Sequence, residues 1–361
     1  MTTRVAFYAV NGLGLGHVTR LLSIARALRR LSPDVEVLFL TSSEADGVIF
    51  REGFAAVKLP SKTIREEVGL ERRRYLKLVQ TVTWNTLSAF DPDVLVVDTS
   101  PTGSFEELIP VLRWRQKNVF VFREQRESAA QSPLMQATLP LYDAVIVPHL
   151  EASAVGPVPE PHKLRAVGPI LIRERAELPS RDEARRRLGL GAEERVVYAS
   201  FGGGGDPEGA AALALTSEVV RAIGGLRLVV GSGPLQRKGP PVVPGAMVVS
   251  GIYPALDLLP AFDVAVTAAG YNAVHELCFA GVPAVLVPFE RVLDDQDQRA
   301  RLVHEAGAGR ALPVLTRDGL TAALREVLEP QRRKAMSKAA LALVPKNGAE
   351  AAARVVLEVL R

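Results

Sequence analysis

The segment of this chain best equipped for chemistry is a glycine turn between an apolar run and a helix, with a glutamate six residues past the glycine. It runs from Asp263–Thr267 through Ala268, Ala269 and Gly270 into Tyr271-Asn-Ala-Val-His-Glu276. A helix start offers N–H groups that lack intrahelical acceptors, and its dipole favours an anion, so such a turn suits a phosphate. A carboxylate one and a half turns further on can accept two hydrogen bonds from a ribose diol. Together these features read as a nucleotide-diphosphate holder. Asp295 and Gln296, ahead of a helix running to Ala306, offer short polar groups for sugar hydroxyls. At Gly251-Ile-Tyr-Pro254 a strand ends in a turn whose backbone, at Ile252, suits a base edge. Ser200-Phe-Gly-Gly-Gly-Gly-Asp206 sets four glycines between a strand and a helix. A tight turn needs one or two, so the run points to a ligand brought close to Gly203 and Gly204.

A second cluster opens the chain. Asn11-Gly-Leu-Gly-Leu-Gly-His17 joins the first strand to the first helix. A dinucleotide fingerprint wants an acid about 20 positions on, closing the second strand. That strand ends Phe39-Leu-Thr-Ser42, with no acid until Glu44, which argues against a nicotinamide or flavin. The other use of the loop is to bring Gly14 and Gly16 close to a substrate and to present His17 at the helix start. The dipole there disfavours the imidazolium form, and a neutral imidazole suits the removal of a proton from a hydroxyl, typically worth about 10²–10⁴-fold in rate. A plain helix cap is the alternative for His17. Arg20, in the same first turn, opposes the dipole; a ligand or protein anion would offset this, or the side chain lies in solvent. Asp98 closes Val94-Leu-Val-Val-Asp98 on the sheet edge shared with the first loop, where it either orients His17 or caps the next helix.

The elements needed to hold these residues recur twice along the 361 residues. Short apolar strands alternate with amphipathic helices: Arg4–Val10, Val18–Leu31, Val35–Leu40, Asp93–Val97, Asn118–Phe122 and Ala144–Val147. After a proline-dense stretch (Pro157, Pro159, Pro161, Pro169), the pattern restarts at Arg195–Phe201 and continues through Glu208–Ile223, Leu226–Val230, Met247–Ser250, Asp263–Thr267 and Ala284–Val287. The expected class is α/β: two doubly wound parallel-sheet domains, residues 1–160 and 181–345, with a linker at 161–180 and a C-terminal helix in 346–361. No window holds the roughly 18 apolar residues of a membrane span, and the start carries no secretory leader, so a cytoplasmic protein is expected. A single cysteine, Cys278, excludes an intrachain disulfide and a multi-cysteine zinc site. The net charge of +4 and pI of 9.3 permit an anionic ligand or an acidic membrane surface, while the basic residues are too dispersed for nucleic acid.

With these motifs in this order, the chain resembles the GT-B glycosyltransferases over nearly its whole length, nearest to the branch containing the peptidoglycan N-acetylglucosaminyltransferase. Ala269–Glu276 is similar to that family's glycine-to-glutamate element and Asp295-Gln296 to its closing Asp-Gln. The resemblance implies two Rossmann-like domains facing across a cleft, acceptor site in the first and donor site in the second. It implies inverting transfer from a UDP-sugar or other nucleotide sugar to a hydroxyl acceptor, with no metal or other cofactor. By position, Gly270, Tyr271 and Asn272 would lie at the diphosphate, Glu276 at the ribose, the Ile252 backbone at the base, Asp295 and Gln296 at the donor sugar, and His17 would be the base. Ala268 and Arg299 depart from the pattern, standing where relatives often carry histidine and asparagine. The Gly-His-Val-x-Arg start is also similar to nucleotide-sugar hydrolases, in which the same histidine would activate water; a non-catalytic nucleotide-sugar sensor is the third reading. Asp91-Pro-Asp93 imitates a metal-binding Asp-x-Asp but precedes a strand. His149, His162 and His304 read as surface residues and His275 as structural. Arg72, Arg73, Arg74 and Lys77 form a solvated helix face or a contact for an anionic, lipid-linked acceptor at a membrane.

Overall fold

The computed structural model describes residues 2–10, 14–124, 126, 131–202, 207–235, 241–291 and 294–361. The chain forms two compact units, residues 1–172 together with 348–361, and residues 173–347. The crossing at 172/173 falls just past the proline-dense stretch, within residues 161–180.

In the first unit the strands are β1 (Arg4–Ala9), β2 (Glu36–Thr41), β3 (Ala55–Lys58), β4 (Val94–Asp98), β5 (Lys117–Val121), β6 (Ala144–Val147) and β7 (Leu164–Ala166). The helices are α1 (Gly16–Leu31), α2 (Gly47–Arg51), α3 (Lys62–Glu67), α4 (Arg72–Phe90) and α5 (Pro133–Thr138). The sheet is parallel throughout, in the order β3-β2-β1-β4-β5-β6-β7. Every residue of β4 is buried, as expected for a central parallel strand covered on both faces. The core on one face gathers Tyr8, Leu95, Val97, Phe120, Phe122 and Tyr142. β3 and β7, absent from the sequence-based expectation, form the two edges, and β7 lies within the segment expected to be a linker.

The second unit holds β8 (Val196–Ser200), β9 (Arg227–Ser232), β10 (Met247–Ser250), β11 (Val264–Ala268), β12 (Ala284–Val287) and β13 (Gly309–Ala311). Its helices are α6 (Arg181–Leu188), α7 (Pro207–Ile223), α8 (Tyr271–Ala280), α9 (Gln296–Glu305), α10 (Arg317–Leu328) and α11 (Pro330–Leu343). This sheet is also parallel, ordered β10-β9-β8-β11-β12-β13. Both sheets are doubly wound, and in each the direction of winding reverses beside the first strand: between β1 and β4, and between β8 and β11. In such sheets ligands bind outside the carboxyl ends of the strands at that reversal.

The last helix, α12 (Ala349–Glu358), belongs to the first unit and packs against α1. Ala349, Ala352, Ala353, Val355 and Val356 are its buried face. Gly348 leads into it with its N–H on the Pro169 carbonyl at 2.7 Å, and a Cβ there would run into the carbonyls of Val167 and Gly168.

Candidate functional site

At the reversal point of the first sheet, β1 and β4 run side by side with Tyr8 opposite Val97, so Asp98 closes β4 just where the chain leaves β1 for α1. α1 begins at Gly16 without a side-chain cap, which places His17 in its first turn. The His17 Nδ1 lies 3.1 Å from Asp98 Oδ2. A carboxylate only accepts, so Nδ1 carries the hydrogen in this contact. The ring is 18% exposed, whereas the Asp98 side chain is fully buried. Gly14 and Gly16 lie in the turn that leads to it, both half-buried.

Of the alternatives open for Arg20, a ligand, a protein anion or solvent, the structure shows the protein anion, behind the histidine. Arg20 is 2% exposed, and its NH2 donates to both Asp98 oxygens, at 2.8 and 3.1 Å. The anion that offsets its place in the first turn is therefore Asp98. The Thr99 hydroxyl completes the carboxylate's shell by donating to Oδ1 at 2.9 Å. Burial pushes the Asp98 carboxyl up, but Arg20 and then His17 outweigh it and hold it down at about 2. Thr99 has φ of 65°, a left-handed conformation costly for a β-branched residue, so the strand end is held under backbone strain beside the histidine.

At the reversal point of the second sheet, Thr267 of β11 donates through Oγ1 to the Ser200 carbonyl of β8 at 2.6 Å, tying together the strands that lead into the two glycine turns. Gly203 and Gly204 lie outside the described residues. Gly270 is the N-cap of α8, extended at φ −65° and ψ 148°, with open space where a Cβ would stand. No side chain caps this helix, so its first-turn amides remain available to an anion. Asn272 is half-buried in that first turn. Tyr271 offers only backbone: its ring is 5% exposed, packed on His275 at 4.2 Å between centroids, with the Arg299 guanidinium 5.7 Å above it. His275 is structural, its Nδ1 2.7 Å from the Tyr271 carbonyl.

Glu276 is half-buried and has no hydrogen-bond or ion-pair partner among the described residues. Burial, reinforced by the neighbouring Asp257 carboxylate, pushes its carboxyl up to about 8. An acid held in so unfavourable a place lacks the donors that a ribose diol would bring. Tyr198 of β8 lies close enough to feel its charge, stacked on Phe262 at 4.7 Å and raised to about 12, first by burial. Ile252 follows Gly251 (φ 66°) in the turn leaving β10 and is half-buried.

The Asp295-Gln296 pair is placed differently from the expectation of two free polar groups. Asp295 caps α9, accepting from the Gln298 N–H at 3.0 Å. Gln296 is 6% exposed with both ends of its amide engaged: Oε1 accepts from the Phe289 N–H at 3.0 Å and Nε2 donates to Asp294 at 3.3 Å. Arg299 is likewise buried, donating to the Ala269 carbonyl at 2.6 Å and to Asp294 at 2.8 Å.

Other polar groups escaped the sequence reading because their partners are distant along the chain. His149 is no surface residue: 15% of its side chain is exposed, and its Nε2 accepts from the Glu124 N–H at 3.2 Å. Glu107 is fully buried, accepting from the Tyr8 hydroxyl and from the Ser104 and Phe105 amides. Asp91 and Asp93 sit at the amino end of β4, opposite the edge that carries His17, and pair with Arg4 and Arg115. The basic run of α4 is exposed from Arg72 to Arg74.

Residues 245–355 match the model of the glycosyltransferase family 28 C-terminal domain. The chain is 27% identical over 363 residues to the UDP-N-acetylglucosamine–N-acetylmuramyl-(pentapeptide) pyrophosphoryl-undecaprenol N-acetylglucosamine transferase of a Nocardioides species, covering 95% of each chain. It is 28% identical over 374 residues to the enzyme of the same name from Salinibacter ruber, covering 99% of this chain and 98% of that one. Among solved structures, the glycosyltransferase of kitacinnamycin superposes with a TM-score of 0.70 at 20% identity over the whole of both chains. A spinosyn rhamnosyltransferase complexed with thymidine diphosphate superposes with a TM-score of 0.67 at 16% identity, over 96% of this chain and 98% of that one. The fold is that of the GT-B glycosyltransferases.

Proposed function

We propose, from the premise that the chain is a GT-B-fold glycosyltransferase resembling the peptidoglycan N-acetylglucosaminyltransferases, that it is an inverting, metal-independent enzyme moving a sugar from a UDP-sugar to a hydroxyl acceptor. The observation that carries this reading is Glu276: a carboxylate without a hydrogen-bond or ion-pair partner among the described residues, one and a half turns past an open glycine helix start. It accepts the two ribose hydroxyls, the first-turn amides of α8 take the diphosphate, and the backbone at Ile252 meets the base. Asp295 keeps one carboxylate oxygen beyond its cap bond for the sugar.

His17 Nε2 takes the proton of the acceptor hydroxyl as its oxygen attacks the anomeric carbon opposite the diphosphate. The bond from that carbon to the diphosphate oxygen breaks, and the electron pair leaves on the nucleotide. The amides and dipole at the start of α8 stabilise the charge that grows there. Asp98 holds the imidazolium formed on His17, and Arg20 fixes Asp98 in position. At the surface, the exposed Arg72–Arg74 run, with Val68 and Leu78 exposed nearby, supports contact with an anionic membrane face on the cytoplasmic side, where a lipid-linked acceptor would lie.

The test is His17→Ala. Transfer should fall at least about 100-fold while the affinity for UDP-sugar stays within about twofold. Full activity in the variant would remove the base assignment. Fast release of free sugar by the native protein without any acceptor would favour hydrolysis instead, with His17 activating water.

A further inference from the structure

Two turns flank the donor site, and a chain of polar contacts joins them, buried at both ends and part-buried at Asp294. From the end of β12, the Phe289 N–H reaches Gln296 Oε1, Gln296 Nε2 reaches Asp294, Asp294 accepts from Arg299, and Arg299 NH1 donates to the Ala269 carbonyl, the residue before the Gly270 cap. The guanidinium also covers the Tyr271 ring, whose backbone opens α8. Ala269 is fully buried and Arg299 is 5% exposed, so the bond between them forms away from water, where charge-assisted hydrogen bonds are strong and geometrically demanding. The Ala269 carbonyl is thereby fixed from behind, and with it the direction of the first-turn amides. Asp294 ties the same guanidinium to the turn that precedes α9.

We propose that Arg299 is a positioning residue that locks the diphosphate-binding turn to the sugar-side turn, so that the two halves of the donor site are held as one piece. The inference rests on the donor reading above. Arg299 acts on the ligand through Ala269, Tyr271 and Asp294.

The experiment is calorimetric titration of uridine diphosphate and of a UDP-sugar into the native protein, Arg299→Ala, Arg299→Lys and Asp294→Asn, together with transfer kinetics. Leu324→Ala, in the core of the same unit, is the control matched for loss of melting temperature. Arg299→Ala should weaken uridine diphosphate at least about tenfold and lower kcat with it, Arg299→Lys should recover part, and Leu324→Ala should stay within about twofold of native. Asp294→Asn leaves the bond to Ala269 and frees the sugar-side turn, so it should weaken the UDP-sugar at least about fivefold more than uridine diphosphate. Native affinity in Arg299→Ala, an equal loss in Leu324→Ala, or equal weakening of the two ligands by Asp294→Asn overturns the proposal. Should Arg299→Ala not fold, Arg299→Lys and Asp294→Asn decide it. A native protein that binds neither uridine nor thymidine diphosphate sinks the donor reading, and this inference with it.

Discussion

Replacing Glu276 by glutamine keeps the shape of the side chain and removes its charge. Burial and the Asp257 carboxylate push the Glu276 carboxyl from 4.5 up to about 8. At pH 7 about nine in ten free molecules therefore carry the proton, and a ligand that needs the carboxylate must expel it at a cost of about 1 kcal/mol, rising to about 3 kcal/mol at pH 6. Affinity for a UDP-sugar, whose diphosphate does not titrate in this range, should rise up to about tenfold per pH unit from 6 to 8 and then level off. Hydrogen bonds to a charged acceptor contribute about 1.5–3 kcal/mol, so Glu276→Gln should bind about 10–150-fold more weakly at pH 8.5. The gap should close toward pH 6, where the native side chain is itself neutral. Stability should move the other way. The folded chain keeps a proton that the unfolded chain releases near 4.5, so the native protein loses stability as pH rises from about 4.5 to about 8 and is level above. The variant lacks that loss and should melt higher than native at pH 8.5. Calorimetry at pH 6, 7, 8 and 8.5, in buffers of different ionisation enthalpy, counts the released proton, and thermal melts over the same range give the stability arm. A native affinity independent of pH, together with a variant that binds within twofold of it at pH 8.5, would refute the reasoning.

Asp98→Asn should cut transfer by about 10²–10⁴-fold and destabilise the first unit by up to about 3–5 kcal/mol, because Arg20 is left buried without its counter-charge. The Asp98 carboxyl is depressed in the folded state, so this stability gap should narrow as pH falls from about 4 toward 2, measured by chemical denaturation. Gly231→Ala would set a Cβ against the Tyr198 ring and hydroxyl; denaturant melts should show a loss of about 1–3 kcal/mol, with part recovered in the double variant carrying Tyr198→Phe. Changing Arg72, Arg73 and Arg74 together to glutamate should weaken sedimentation with anionic lipid vesicles at least about 100-fold, at about 1 kcal/mol per basic residue, and leave neutral vesicles unaffected; equal binding to both would exclude an electrostatic contact.

The central strands were legible in the sequence because parallel strands buried on both faces read as unbroken apolar runs, as in Val94–Val97 and Ala284–Val287. The edge strands Ala55–Lys58, Leu164–Ala166 and Gly309–Ala311 were not. They are short, half-exposed and carry lysine or arginine, so their strand character comes from a neighbour with which to pair. His17 and Asp98 could be brought together on paper because strand ends on one sheet edge are neighbours whatever lies between them in sequence. Which anion Arg20 would find depended on the β1–β4 spacing, which the sequence does not express, so ligand, protein anion and solvent all stayed open. Asp295 and Gln296 were read as exposed because loop residues usually are; the partners of Gln296, Phe289 and Asp294, became visible only with the turn folded. The same holds for Arg299 with Ala269, and for Glu124 with His149, which are 30 and 25 residues apart.

Because α12 folds onto α1, the unit carrying His17 is begun before 173–347 on the ribosome and completed after it. Its opening helix must wait without the helix that packs on it while 173–347 is made. Cutting the gene at the crossing near residue 172 would therefore not yield two free-standing halves. A soluble first unit would need residues 348–361 joined back to it, whereas 173–347 has both its ends in one neighbourhood, with Asn347 bonded to the Arg173 carbonyl at 3.1 Å, and can be excised whole.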